Sequence, residues 1–312
     1  MSTKVSVIIP SYNCKYAART VDDVLEKATG DVEVILLLDA YWPLSLPKED
    51  KRLTIVHKGT NGGMRNSINL GVQISKGDYI MKLDDHCSVA KGFDEVLKRD
   101  TEKNWLTVPT RYSLDPINWT TVHQGVCYEY MAYPYSTKSG IGLYSRKWWG
   151  EDGFGTNRGK KQFYWKEDRL RDTKIDDIMI FQGSCWFMHK SWFLEIGGLD
   201  EGANTLYQEP QELTFKTWLS GGRCVVNKNT WYAHLYKTDD NKPGAETHGR
   251  GYKLDLHAMR KTERAGNKYW MLDQWPKAKK PMKWLIEKFW PIPGWPPDWE
   301  QQKLKWEQEH DN

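Results

Sequence analysis

The sequence places three potential metal ligands together, Asp84-Asp85-His86, at the end of the run Gly77-Asp78-Tyr79-Ile80-Met81-Lys82-Leu83. A half-apolar strand delivers them. A carboxylate oxygen from Asp84 and an imidazole nitrogen from His86 suit a borderline divalent ion such as Mn²⁺, or the harder Mg²⁺. Asp85, between them, is expected to point elsewhere, because side chains alternate along a strand. A lone Asp-x-His also occurs in solvated loops, and the strand that delivers this one decides for metal. His234, in Trp231-Tyr232-Ala233-His234-Leu235, is the best-placed third ligand, at the end of a late strand. His189 is the weaker rival.

Two further groups of residues carry chemistry. Glu209-Pro210-Gln211-Glu212 opens a helix, with Pro210 at its first position and two acids three apart on one face. One acid is expected to bind hydroxyl groups or act as a base, the other to cap the helix, and Asp200 just upstream adds a third. In Asn61-Gly62-Gly63-Met64-Arg65-Asn66 the glycines allow close backbone approach, and Arg65 can reach a base or a phosphate. The spacing is not that of a P-loop.

These residues need a frame. Lys4 to Pro10 reads as a buried parallel strand, and Ala18, Val21, Val24 and Leu25 then repeat at helical spacing up to Gly30. Val32 to Leu38 is a second apolar strand ending at Asp39, Leu53 to Val56 a third, and Met64 to Ile74 a helix before the strand that delivers Asp84. This order predicts an α/β fold around a mainly parallel sheet. Ligands of such sheets bind beyond the carboxyl ends of the strands. Pro10, Ser11, Asp39 and Asp84 mark that edge, which outlines a nucleotide site.

Trp105 to Thr110 reads as a strand, and residues 111–176 as a mobile loop region over the site. Within it, Arg169 and Arg171 are placed to reach a diphosphate. Phe181 to Lys190 returns to strand order, Ser191 to Ile196 is a short helix, and Val225-Val226 starts another strand. Beyond Lys237 the character changes. Residues 238–268 are polar and basic, and 269–312 mix Trp with Lys and Pro. This predicts a helical arm, with a helix near 281–290 and a final charged helix. Its lysines among aromatics could hold single-stranded nucleic acid, although fastening the arm to the body is the plainer role for the Trp residues.

The chain has 312 residues and a mild +4 net charge, with 17 Trp and 16 Tyr. The aromatics suggest flat surfaces for bases or sugars. No stretch is apolar for the ~20 residues of a membrane span, and no signal peptide is read. Five scattered Cys point to a reducing compartment, so a cytoplasmic location is expected.

Several motifs in order resemble a known family. Val5 to Asn13 is similar to the opening strand of family 2-type GT-A glycosyltransferases. Ser75 to Cys87 resembles the polypeptide N-acetylgalactosaminyltransferases, whose strand ends in Asp-x-His-Cys. So does the helix from Glu209 to Gly222, and Phe181 to Met188 and Ile196 to Asp200 stand in matching places. The resemblance covers roughly residues 3–237. It implies a GT-A catalytic domain over 1–237, with a nucleotide half (1–110), an acceptor and sugar half (111–237), and an extension over 238–312. It implies a metal-dependent transferase using a UDP-sugar, with Asp84, His86 and His234 on the metal, Asp39 and Arg65 on uridine and Glu209 on the sugar.

The chain departs from that family. No membrane anchor, stem or β-trefoil lectin domain is read, and Tyr207-Gln208 and Pro210 replace two glycines and an asparagine. The sugar pocket is therefore expected to be reshaped. If the chain follows the family, the sugar's configuration is retained; if it inverts, Glu209, Glu212 or Asp200 must be the base. The acceptor is a hydroxyl, on a hydroxymethylated base of phage DNA (which would place the enzyme in the host cytoplasm), a glycan or a protein. A non-catalytic sugar- or nucleic-acid-binding module is the rival reading; it predicts lost ligands, yet all three are present.

Overall fold

The computed structural model describes residues 3–135, 142–143, 145–147, 173–202, 209–235 and 256–310. The chain opens with β1 (Val5–Ser11), α1 (Ala17–Lys27), β2 (Val32–Asp39), β3 (Leu53–Lys58), α2 (Gly63–Ile74), β4 (Tyr79–Leu83), β5 (Cys87–Val89) and α3 (Phe93–Asp100). Then come β6 (Trp105–Leu114), β7 (Thr121–Val126), β8 (Glu129–Met131), β9 (Ser145–Lys147), β10 (Ile175–Asp177), β11 (Cys185–His189) and α4 (Lys190–Glu195). The last elements are α5 (Glu209–Leu219), β12 (Arg223–His234), α6 (Leu256–Met271), α7 (Met282–Lys288) and α8 (Trp299–His310).

Strands β3, β2, β1 and β4 lie side by side and parallel, as their apolar runs and intervening helices require. Every residue of β1, β2 and β4 is buried. Beyond β4 the sheet continues through β11, β6, β12 and β10, with β11 antiparallel to both neighbours and β12 parallel to β6. All strands but β8 and β9, which pair with each other, belong to this one mixed sheet. α1 faces it with Ala17, Thr20, Val21, Val24 and Leu25. Of the stripe read from the spacing, Val21, Val24 and Leu25 are buried, while Ala18 is only half-buried and Ala17 takes its place.

Part of the expected loop region is ordered sheet instead. β6 runs on to Leu114, across residue 110, and returns through β7. Asp115 makes the turn: its carboxylate accepts from the backbone N–H groups of Ile117 and Asn118 at 2.8 and 3.3 Å. The polar residues that suggested a loop belong to this hairpin. Arg169 and Arg171 lie outside the described residues.

A second correction concerns α6, which begins inside a stretch read as merely polar and basic. Among residues 261–271 it buries Glu263, Gly266, Asn267, Trp270 and Met271. That is helical spacing, but Glu263, Gly266 and Asn267 interrupt its apolar side, so the apolar periodicity is weak. The helix near 281–290 and the final one match α7 and α8. The aromatics of these helices belong to the main core. Trp270 packs on Phe215 at 5.2 Å, Trp284 and Phe289 on Trp218 at 6.0 and 5.7 Å, and Trp295 on Tyr133 at 5.1 Å. The Trp295 indole N–H also donates to the Met131 carbonyl at 2.7 Å. Among the described residues no helix is long and apolar enough to cross a membrane.

Candidate metal and nucleotide site

The parallel strands bring Ser11, Asp39 and Asp84 to one edge of the sheet, because β1, β2 and β4 all end there. Two of the turns leaving this edge carry positive φ in non-glycine residues, 53° at Asn13 and 57° at Ala40. An alanine in that region costs about 1–2 kcal/mol, and it turns the chain between Asp39 and Tyr41. The Tyr41 hydroxyl meets the Ser11 hydroxyl, and burial is the main cause that pushes its pKa up to about 12.

Asp84, His86 and His234 converge, with one ligand atom of each within 4.8 Å of the others. The sheet does this. β12 ends antiparallel to β5 with His234 opposite Cys87, and the Leu235 N–H donates to the His86 carbonyl at 3.1 Å. α1 pins β5 from the other side: Thr20 Oγ1 accepts from the Cys87 N–H and Asp23 Oδ2 from the Val89 N–H, each at 3.0 Å. Two imidazole nitrogens, His86 Nε2 and His234 Nε2, then stand 3.0 Å apart. Asp84 Oδ2 lies 3.4 Å from the second and 3.9 Å from the first.

This donor set fits a divalent cation. Two imidazole lone pairs cannot face each other at that distance without a proton or an ion between them. Burial is the main reason that the His234 pKa falls, to about 4, with the neighbouring His86 adding to it, so its imidazole is neutral and available. Burial would push the Asp84 carboxyl up, but Lys82 and both histidines outweigh it and hold it well below the usual carboxylate range. Two imidazoles and one carboxylate are donors that Mn²⁺ accepts.

Asp85 does point away from the trio. It is not idle, since its Oδ1 lies 2.6 Å from His86 Nδ1. A carboxylate there accepts the Nδ1–H, which leaves Nε2 with its lone pair toward the site. His189 sits opposite Tyr79, at the other end of β4 from Asp84, and packs tilted against that ring with the centroids 4.1 Å apart. The structure does not bring it to Asp84, His86 and His234.

The acids of α5 are heavily engaged. Glu212, 1% exposed, pairs with Arg65, accepts the Asp200 N–H at 2.8 Å and holds Lys216 at 2.6 Å. Arg65 also donates to the Asp200 carbonyl at 3.2 Å. Glu209 lies 3.1 Å from the Lys82 ammonium. It comes so close to Gly183 that a Cβ there would lie 2.6 Å from Glu209 Oε1. Asp39 accepts the Gly62 and Gly63 N–H groups at 2.9 and 2.8 Å and pairs with Lys58 at 2.7 Å. Lys82 is the residue that motif reading missed. Its signal is a charge inside a fully buried strand, which needs a partner.

A family described as Glycosyl transferase family 2 matches residues 6–197. Among curated proteins, the probable N-acetylgalactosaminyltransferase 6 of Caenorhabditis elegans is 25% identical over 86% of this chain and 42% of its own length. The human polypeptide N-acetylgalactosaminyltransferase 10 is 25% identical over 74% of this chain and 38% of its own. The chain thus spans about two-fifths of these relatives. A crystal structure of GalNAc-T7 with UDP, GalNAc and Mn²⁺ superposes with a TM-score of 0.62 at 16% identity, covering 99% of this chain and 55% of that one. The likeness shows the same fold, the GT-A architecture.

Proposed function

Because the chain belongs to glycosyl transferase family 2, we propose that it moves a hexosyl or N-acetylhexosaminyl group from a UDP-sugar to an acceptor hydroxyl with the help of Mn²⁺. The observation that carries this reading is the convergence of Asp84, His86 and His234 at the carboxyl edge of the parallel strands. The ligands named for GalNAc-T7 support the choice of UDP and Mn²⁺.

In this reading Asp84, His86 and His234 hold the ion, which when bound neutralises the charge growing on the diphosphate leaving group. Pro10, Ser11 and Tyr41 wall the nucleoside side. Asp39 shapes the Gly62-Gly63 turn through its two N–H bonds, and the same carboxylate borders the nucleoside. Glu209 faces the sugar. Arg65 and Glu212 tie α2, the Asp200 segment and α5 together, so we assign them to building the site.

The acids support a retaining transfer. An inverting route needs a carboxylate free to take the acceptor's proton. Glu212 has both oxygens engaged, and Glu209 Oε1 is taken by the Lys82 ammonium at 3.1 Å. Asp200, exposed and accepting the Gly202 N–H at 2.7 Å, is the acid that an inverting route would have to use. The arm's packing favours a glycan or protein hydroxyl over a DNA base as acceptor. Trp270, Trp275, Trp295 and Trp299 are buried in the core, not free to stack bases. Lys283 pairs with Glu300 at 2.7 Å and Lys288 with Asp177 at 2.8 Å.

A screen of UDP-sugars for slow Mn²⁺-dependent hydrolysis tests the reading and names the sugar. The reading expects one UDP-sugar to be cleaved with Mn²⁺ and spared with EDTA. Cleavage of none, together with no binding of UDP, would sink it.

A further inference from the structure

Lys82 is assigned neither a metal bond nor a sugar contact, yet it is as closely held as any charge at the site. It is 1% exposed and sits in the middle of the sheet on β4. Its Nζ lies 2.5 Å from Asp84 Oδ1 and 3.1 Å from Glu209 Oε1, and it donates to the Gly183 carbonyl. An ammonium has three protons, and here each has an acceptor.

The consequence lies in how Asp84 is divided. Oδ1 is taken by Lys82, while Oδ2 is the oxygen that faces the two histidines. Only one carboxylate oxygen is left for an ion. We propose that Lys82 is an internal counter-cation of the metal site, which holds Asp84 to a single metal bond and keeps the ion loosely bound until a nucleotide diphosphate arrives. This rests on the metal-dependent transferase reading above.

Two physical effects act in the same direction. A divalent ion on Oδ2 shares its carboxylate with an ammonium, and like charges separated by one carboxylate in a buried site repel strongly. With one oxygen and two imidazole nitrogens from the protein, a six-coordinate ion keeps three positions for other ligands. Diphosphate oxygens can fill them and bring the negative charge that outweighs Lys82. Free protein therefore binds the ion weakly, and protein with UDP binds it well. Lys82 is a positioning residue, because it acts through Asp84 and Glu209.

The test is a Mn²⁺ titration followed by the electron paramagnetic resonance signal of the free ion, with and without UDP. Removing Lys82 alone strands two buried carboxylates, so the main variant is Lys82→Met/Glu209→Gln, which removes one charge of each sign. It is expected to bind Mn²⁺ without UDP about tenfold or more tightly than the wild type, and to gain less from UDP. Glu209→Gln alone leaves Lys82 less neutralised, and is expected to weaken Mn²⁺ binding several-fold. An unchanged or weaker affinity of the double variant, or an unchanged affinity of Glu209→Gln, would overturn the role of Lys82. Failure of the wild type to take up Mn²⁺ even with UDP would instead overturn the metal-dependent reading itself.

Discussion

The Nε2 atoms of His86 and His234, 148 residues apart in the chain, face each other at 3.0 Å. The contact depends on three separate elements. β4 delivers the first histidine, α1 pins β5 beside it, and the end of β12 pairs with β5 to bring in the second. Asp84 closes the trio from the same strand end.

Asp85 fixes the ring of His86 through the 2.6 Å contact to Nδ1. Its loss frees the ring and its tautomer. Asp85→Ala is expected to weaken Mn²⁺ affinity about 10–100-fold, the usual effect of removing a carboxylate behind a ligating histidine. Calorimetric titration with Mn²⁺ in the presence of UDP measures it. The loss should stay smaller than that of Asp84→Ala or His86→Ala.

Glu212 is a structural hub, held by Arg65, Lys216 and the Asp200 backbone. Glu212→Gln leaves buried Lys216 and partly buried Arg65 short of charge, and breaking such a network costs about 3–5 kcal/mol. Urea unfolding should show that loss. A variant of unchanged stability whose turnover falls by orders of magnitude would point to a catalytic base instead.

The arm is fastened by its rings. Trp295 is buried, packs on Tyr133 and Trp299, and donates to Met131. Trp295→Ala should destabilise the protein by about 3–5 kcal/mol. Trp295→Phe keeps a ring but loses the hydrogen bond, and should cost about 1–2 kcal/mol. Thermal or urea denaturation orders the two variants.

His189 gives the fold a pH dependence. Burial against Tyr79 holds its pKa below the ordinary value. The unfolded chain therefore binds the proton more readily, and stability is lost as pH falls through about 6.5. Urea midpoints at pH 7.5 and 5.5 check this: His189→Gln should lose less than the wild type between the two.

The parallel half of the fold was legible because its strands are buried on both faces and read as apolar runs. The convergence of Asp84, His86 and His234 was anticipated from residue type at strand ends. What stayed hidden has physical reasons. α6 buries Glu263, Gly266 and Asn267 alongside Trp270 and Met271, so the apolar signal of its period was diluted. The β6–β7 hairpin includes Arg111, buried by an ion pair with Glu129 at 2.5 Å, which in sequence looks like a loop charge. Lys82 and the links among Arg65, Glu212 and Lys216 depend on contacts between residues far apart in sequence, which no local pattern reports.

The central claim is that Asp84, His86 and His234 together form one ion site. Mn²⁺ titration of the UDP-saturated protein, read by paramagnetic resonance, tests it most directly. The account predicts one tightly bound Mn²⁺ per chain in the wild type and affinity lowered by about 100-fold or more in His234→Ala. A His234→Ala protein that binds Mn²⁺ as the wild type does would contradict it.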